Sequence, residues 1–186
     1  MSDKFPRAKK LGYSVAQVEQ FLTLAKDQFL NPNSTEMDVK TVRWIRFDLE
    51  KNGYSISTVD SAMEKLEDVF AQRELERKFD LMGYEAFLAE TNELRDLLLS
   101  RVARNKGKRF AKRAWPLRGY NLKQVDSLCS LLTNHLNQSS PLALRDVRLS
   151  VFKPKRGGYA EYQVDAFIDR IVELLQREVI LNKVSS

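Results

Sequence analysis

The chain has 186 residues, of which 43% are hydrophobic and 30% charged, with a formal net charge of +6. It is long enough for one domain or two small ones and too apolar to be globally disordered. Cys129 is the only cysteine, so an internal disulfide is excluded, and no apolar run approaches the roughly 20 residues that span a membrane. The start at Met1 is polar and is followed by no secretory apolar core, and a cytoplasmic protein is expected.

The first element starts at "LGYSVAQVEQFLTL", from Leu11. Ser14 reads as a helix N-cap, and Val15, Val18, Phe21, Leu22 and Ala25 follow at helical spacing. Asn31-Pro32-Asn33 ends this helix. "KTVRWIRF", up to Phe47, reads either as a short extended stretch or as one more helical turn. "NGYSISTVDSAMEKL", from Asn52, repeats the first pattern, with Ser55 as cap and Ile56, Val59, Met63, Leu66, Val69 and Phe70 on one face. Residues 74–104 read as a charged helix whose register shifts at Gly83, which predicts a kink or break. Gly83-Tyr84 is a decoy, since no Val-Asp follows it.

The pattern then returns. "RGYNLKQVDSLCSLL" runs from Arg118 to Leu132 with Asn121 as cap, "RDVRLSVF" ends at Phe152, and "GGYAEYQVDAFIDRI" starts at Gly157. The four Gly-Tyr pairs are spaced by 41, 66 and 39 residues, so they read as two pairs produced by duplication. "STEMDVKTVRWIRF" from Ser34 aligns with "SSPLALRDVRLSVF" from Ser139, at the same offset that carries Gly53 onto Gly158. The expected architecture is mainly α: four short Gly-Tyr-capped helical repeats in two pseudo-symmetric pairs, joined by a long kinked helix. The expected divisions are 1–72, a helical connector 73–107, and 108–186. Within each half the two repeats are expected to pack on each other.

Each repeat position has a physical expectation. The glycine permits positive φ or close backbone contact. The tyrosine precedes the cap, where it would staple onto the first turn. Gln17, Thr58, Gln124 and Gln163 stand three residues after the caps, the spacing of a capping box. Glu19, Asp60, Asp126 and Asp165 fall early in the helices, where the macrodipole favours an acid by about 0.3–1 kcal/mol.

Charge is unevenly placed. Arg101, Arg104, Lys106, Lys108, Arg109, Lys112, Arg113 and Arg118 occur with no acid among them, whereas eleven acids face five bases from Asp60 to Asp96. This block can meet an anionic surface, lipid or nucleic acid, or it can match the acidic stretch of its own chain. His135 stands six residues from Cys129, which is no zinc spacing, and Cys129 lies on the apolar side of its helix. No phosphate loop, nucleophile elbow or dinucleotide fingerprint is present. No catalytic residue, metal or cofactor is therefore expected, and the chain reads as a binding protein.

Gly-Tyr, four residues, Val-Asp and an apolar pair resembles the N-terminal domain of the DivIVA/GpsB family. Phe152, Gly158, Tyr159, Val164, Asp165, Phe167 and Ile168 carry the pattern best; Arg118-Gly119-Tyr120 supplies its Arg-Gly-Tyr form. Repeat one has Glu19 in place of Asp, and repeat two has Ala62-Met63 at the apolar pair. No sustained heptad follows the helices, unlike the family's long coiled coil. The resemblance implies a cytoplasmic bacterial protein of cell division or polar growth. It further implies membrane contact by an apolar and a basic residue just before Gly-Tyr. Those positions are Lys10-Leu11, Lys51-Asn52, Leu117-Arg118 and Arg156-Gly157, and only Leu117-Arg118 keeps the order. Trp115, Phe110 and Arg113 stand nearby as further interfacial candidates. A groove between paired helices would take division or cell-wall proteins, with Tyr13, Tyr54, Asp60, Tyr120, Asp126, Tyr159 and Asp165 as candidate contacts. The alternatives are a nucleic-acid binder using residues 101–118, and a soluble adaptor with neither partner.

Overall fold

The computed structural model describes residues 4–31 and 37–185. The protein is mainly helical, with four three-residue strands among the described residues, and divides into two compact units, Met1–Arg77 and Lys78–Ser186. The expected breaks and alignment over residues 32–36 lie outside the described residues.

In the first unit, β1 (Leu11–Tyr13) leads into α1 (Val15–Leu30), which stops at the extended Asn31. "KTVRWIRF" opens on the second of its two readings, one more helical turn: α2 (Val39–Trp44) is capped by Asp38, whose carboxylate accepts from the Thr41 N–H at 2.7 Å. β2 (Leu49–Lys51) then pairs antiparallel with β1, Leu11 opposite Lys51 and Gly12 opposite Glu50. α3 (Ile56–Met82) follows, in this unit up to Arg77. Two apolar clusters fill the unit. Phe21, Ala25, Met37, Val42 and Phe70 form one, and Val18, Tyr54 and Val59 the other.

The second unit begins with the last turn of α3. Gly83 breaks the helix at φ 79°, a backbone conformation that favours glycine, and α4 (Tyr84–Val102) starts there. Phe79 meets Phe87 edge-on at 5.3 Å across that break. β3 (Arg118–Tyr120), α5 (Leu122–Leu136), α6 (Leu144–Arg148), β4 (Pro154–Arg156) and α7 (Glu161–Ser185) follow. β3 pairs with β4, Arg118 opposite Arg156. The expected connector is not a free-standing link. Leu94, Leu98 and Val102 of α4 pack with Val125, Leu132, Val164 and Ile171 in one continuous core.

The Gly-Tyr pairs do not form turns. Two lie in strands, and all four cross another Gly-Tyr pair at the backbone. The Tyr13 N–H donates to Tyr54 O at 2.9 Å and Tyr54 N–H returns to Tyr13 O at 2.8 Å. Tyr120 and Tyr159 exchange the same two bonds. Of the two glycine readings, close contact is the one that applies, since none of these four glycines has positive φ. A Cβ at Gly12 would lie 2.2 Å from Tyr54 O, and one at Gly158 would lie 2.5 Å from Tyr120 O.

Candidate functional site

The acid of the repeat belongs to this crossing. Glu19, Asp60, Asp126 and Asp165 are each the fifth residue of their helix, beyond the first turn where the macrodipole acts. Each faces the tyrosine of the other repeat in its unit. Tyr54 donates its hydroxyl to Glu19 Oε1 at 2.6 Å, and Tyr159 donates to Asp126 Oδ1 at 3.1 Å. In the opposite sense Tyr13 faces Asp60 and Tyr120 faces Asp165; burial first, and then the carboxylate, raises both phenol pKa values. The tyrosines therefore bond across the pair rather than stapling their own helices.

The two senses of the exchange differ in exposure. Tyr54 and Tyr159 are fully buried, and Asp126 is 7% exposed. Phe5 meets Tyr54 edge-on at 5.3 Å, and Phe110 meets Tyr159 at 5.2 Å. Such aromatic pairs contribute about 0.5–1.5 kcal/mol beyond area burial. Tyr54, Tyr159 and Asp126 are thus internal, which corrects the expectation that they contact a partner. Asp60 and Asp165 are exposed, and Tyr13 and Tyr120 half-buried. Tyr13 and Asp60 line a cavity of about 300 Å³ with Ile45, Phe47, Met63 and Glu64.

Asp126 also explains part of the basic block. Its carboxylate accepts from Arg109 Nη1 at 3.2 Å and from the Gly107 N–H at 2.8 Å. Arg109 is buried and donates further to the carbonyls of Val102, Arg104 and Asp126. Arg101 donates to Arg109 O and stacks over Phe110. Phe110, 5% exposed, lies between Tyr159 and Phe167, so it is core and not an interfacial anchor.

The remaining cations of the block, Arg104, Lys106, Lys108, Lys112, Arg113 and Arg118, are exposed and have no acidic partner among the described residues. The segment before β3 is docked on the fourth repeat. Arg113 N–H donates to Gly158 O at 2.8 Å, and Leu117 O accepts from Gly157 N–H at 3.0 Å. Between these ties the chain bulges, and Trp115 stands 75% exposed and Leu117 52% exposed. Arg156 of β4 stacks its guanidinium 5.9 Å over the Trp115 ring. In the first unit Lys10 is exposed and Leu11 is 52% exposed, opposite Lys51. The first unit has no bulge here. The chain from the Tyr54-paired Arg7 to Leu11 is two residues shorter than that from the Tyr159-paired Lys112 to Arg118.

The other candidates are structural. Ser14 makes no side-chain cap bond, whereas Asn121 caps through the Lys123 N–H. Gln17 and Gln124 form no capping box; Gln17 exchanges two bonds with Asp48, and Gln124 accepts from the Lys153 N–H at 2.8 Å, so both hold the chain entering β2 or β4. Cys129 is fully buried, and desolvation raises its thiol pKa to about 11. His135 bonds Glu178 at 2.7 Å through Nε2 while Nδ1 accepts from the Leu142 N–H. Among the described residues no helix is long and apolar enough to cross a membrane, and no cluster of metal-ligating side chains occurs. Sequence reasoning missed Phe5 altogether, and missed that Arg109 and Phe110 are internal rather than part of an exposed block. The signal available was a basic residue followed by Phe, upstream of both odd-numbered repeats. No family model, curated protein or solved structure matches this chain.

Proposed function

We propose that this chain is a non-enzymatic interaction protein that docks on an anionic membrane surface and presents its paired helices to other proteins. The observation that carries the reading is the β3 bulge. Trp115 and Leu117 are exposed together, beside Arg113, Arg118 and Arg156 that have no acidic partner among the described residues. An amphipathic ring sits at the headgroup level of a bilayer, and each nearby cation adds about 1 kcal/mol on an anionic leaflet. Lys10 and Leu11 would supply a weaker second contact. The partner surface is the open side of the crossing, Tyr13 with Asp60 and Tyr120 with Asp165.

The setting follows from the resemblance to the DivIVA/GpsB pattern: the inner face of a bacterial membrane, in cell division or polar growth. Each unit is a duplicated pair standing in for a two-fold dimer, a reading supported by strand pairing within each unit. Flotation of the full chain with anionic vesicles tests the docking. Trp115→Ala/Arg118→Ala is expected to weaken it at least tenfold, and unchanged binding refutes the anchor. The six exposed cations of the block favour nucleic acid as the second reading. A DNA gel shift at ~150 mM salt with no vesicle binding selects it, and blanks in both assays select the soluble adaptor.

A further inference from the structure

We infer that the β3–β4 ribbon chelates the phosphate of a lipid headgroup carrying a phosphomonoester, with Arg118 and Arg156 as its two forks. The inference rests on the membrane reading and names the headgroup class within it. Arg118 and Arg156 stand directly opposite in the antiparallel register, so both side chains leave the same face of the ribbon. Opposed residues of this kind have Cβ atoms about 4.5–5.5 Å apart, and like charges so placed repel.

Neither guanidinium has an acidic partner among the described residues, and the flanking exposed side chains, Lys153, Lys155, Lys112 and Arg113, are also cationic. Arg113 lies against the other face of the ribbon, where a Cβ built at Gly119 would stand 2.9 Å from its Cγ. Arg156 is steadied by the Trp115 ring beneath it, which lowers the ordering cost of using it as a ligand. Two adjacent planar forks suit a tetrahedral oxyanion, because each can donate two parallel bonds. A phosphomonoester carries about −1.5 to −2 charge at neutral pH and offsets both arginines. A phosphodiester carries one negative charge and leaves one arginine uncompensated.

The lipid source follows from the exposed Trp115 and Leu117 on the same bulge, which a free phosphate would leave in water. The first unit shows what the pair adds. At the same register it has Leu11 opposite Lys51, one apolar residue and one point charge, which gives attraction without a chelate.

The test is flotation of the full chain with phosphatidylcholine vesicles containing either phosphatidic acid or phosphatidylglycerol, adjusted to equal surface charge. Phosphatidic acid is expected to bind on the order of tenfold tighter. Arg156→Gln and Arg118→Gln should each remove that preference, weakening phosphatidylglycerol binding only by the roughly fivefold that one lost surface cation costs and phosphatidic acid binding by on the order of tenfold more, with far-UV circular dichroism unchanged. Lowering the pH from ~7.5 to ~5 should also erase it, because the headgroup becomes a monoanion and arginine does not titrate. Equal affinity for the two lipids at matched charge overturns the chelate and leaves the membrane reading standing. No flotation with either lipid overturns both. Displacement from phosphatidic acid vesicles by millimolar inorganic phosphate or sulfate but not by chloride at equal ionic strength, with the same affinity in Trp115→Ala/Leu117→Ala, makes a free oxyanion the ligand and overturns the lipid assignment.

Discussion

Four acids occupy one position of the repeat, and the structure predicts that they are not equivalent. A macrodipole role would make Glu19→Ala, Asp60→Ala, Asp126→Ala and Asp165→Ala cost the same, about 0.3–1 kcal/mol each. The observed partners separate them. Asp126→Ala strips the carboxylate from Arg109, leaving a buried guanidinium with carbonyl acceptors only, and removes the acceptor of the Tyr159 hydroxyl proton and of the Gly107 N–H, although the Arg109 N–H still reaches the Tyr159 oxygen at 3.3 Å. Breaking one side of a buried ion pair costs about 3–5 kcal/mol. Glu19→Ala removes a charge-assisted bond from the buried Tyr54, worth about 1.5–3 kcal/mol, although the Lys4 N–H still reaches that hydroxyl at 3.2 Å. Asp60→Ala and Asp165→Ala touch exposed carboxylates and should stay within about 1 kcal/mol. Urea unfolding followed by far-UV circular dichroism reads the difference. With a slope of about 2 kcal/mol/M, Asp126→Ala should move the midpoint of its unit by roughly 2 M. Arg109→Met/Asp126→Leu should recover most of the loss, because a well-packed apolar pair replaces the ion pair. Four losses within about 0.5 kcal/mol of one another would return the acids to the helix dipole and refute the cross-repeat network.

Two further outcomes concern stability. Gly12→Ala and Gly158→Ala should each cost at least about 3 kcal/mol in their own unit, because the added methyl meets opposing backbone that cannot move without opening the crossing. A loss under about 1 kcal/mol by chemical denaturation would mean the backbones are not so close. Cys129 gives a pH dependence. Its thiol titrates at 9.0 when unperturbed and at about 11 in the fold, so the folded state holds a proton that the unfolded state releases. That contribution is complete below pH 9 and is lost as the pH rises through about 11, by on the order of 2–3 kcal/mol. Cys129→Ala should flatten this part of the alkaline stability profile; an unaltered slope would assign it to the tyrosines instead.

The helices were legible because their information is local. Val18, Phe21 and Ala25, or Val125, Leu128 and Leu132, mark a buried face by spacing alone, and the break at Gly83 followed from a register shift. The strands were not legible. Three residues reading Leu-Gly-Tyr carry no alternation, and their ladder partner lies about 40 residues away, beyond any local window. The same distance hid the function of the acid. Position in the helix suggested a dipole effect, while the hydroxyl it accepts belongs to the other repeat. Burial divided the candidate site for the same reason. Phe110 and Trp115 both read as aromatics in a basic block, and only the packing of Phe110 against Phe167 assigns it to the interior.

The Gly-Tyr crossing also sets an order of events during synthesis. The edge of β1 has no ladder partner until β2 has been made, nearly 40 residues later. At about 5–20 residues per second, that edge waits roughly 2–8 seconds before it can close. The interval recurs for β3 and β4, so the nascent chain passes twice through a state with one open strand. Each open strand is three residues long, preceded by Lys10 in one case and starting with Arg118 in the other, features that discourage pairing with a neighbouring chain. A single repeat is therefore a half-finished object, and the pair is the smallest piece of this sequence that can be moved, copied or exchanged as a folding unit.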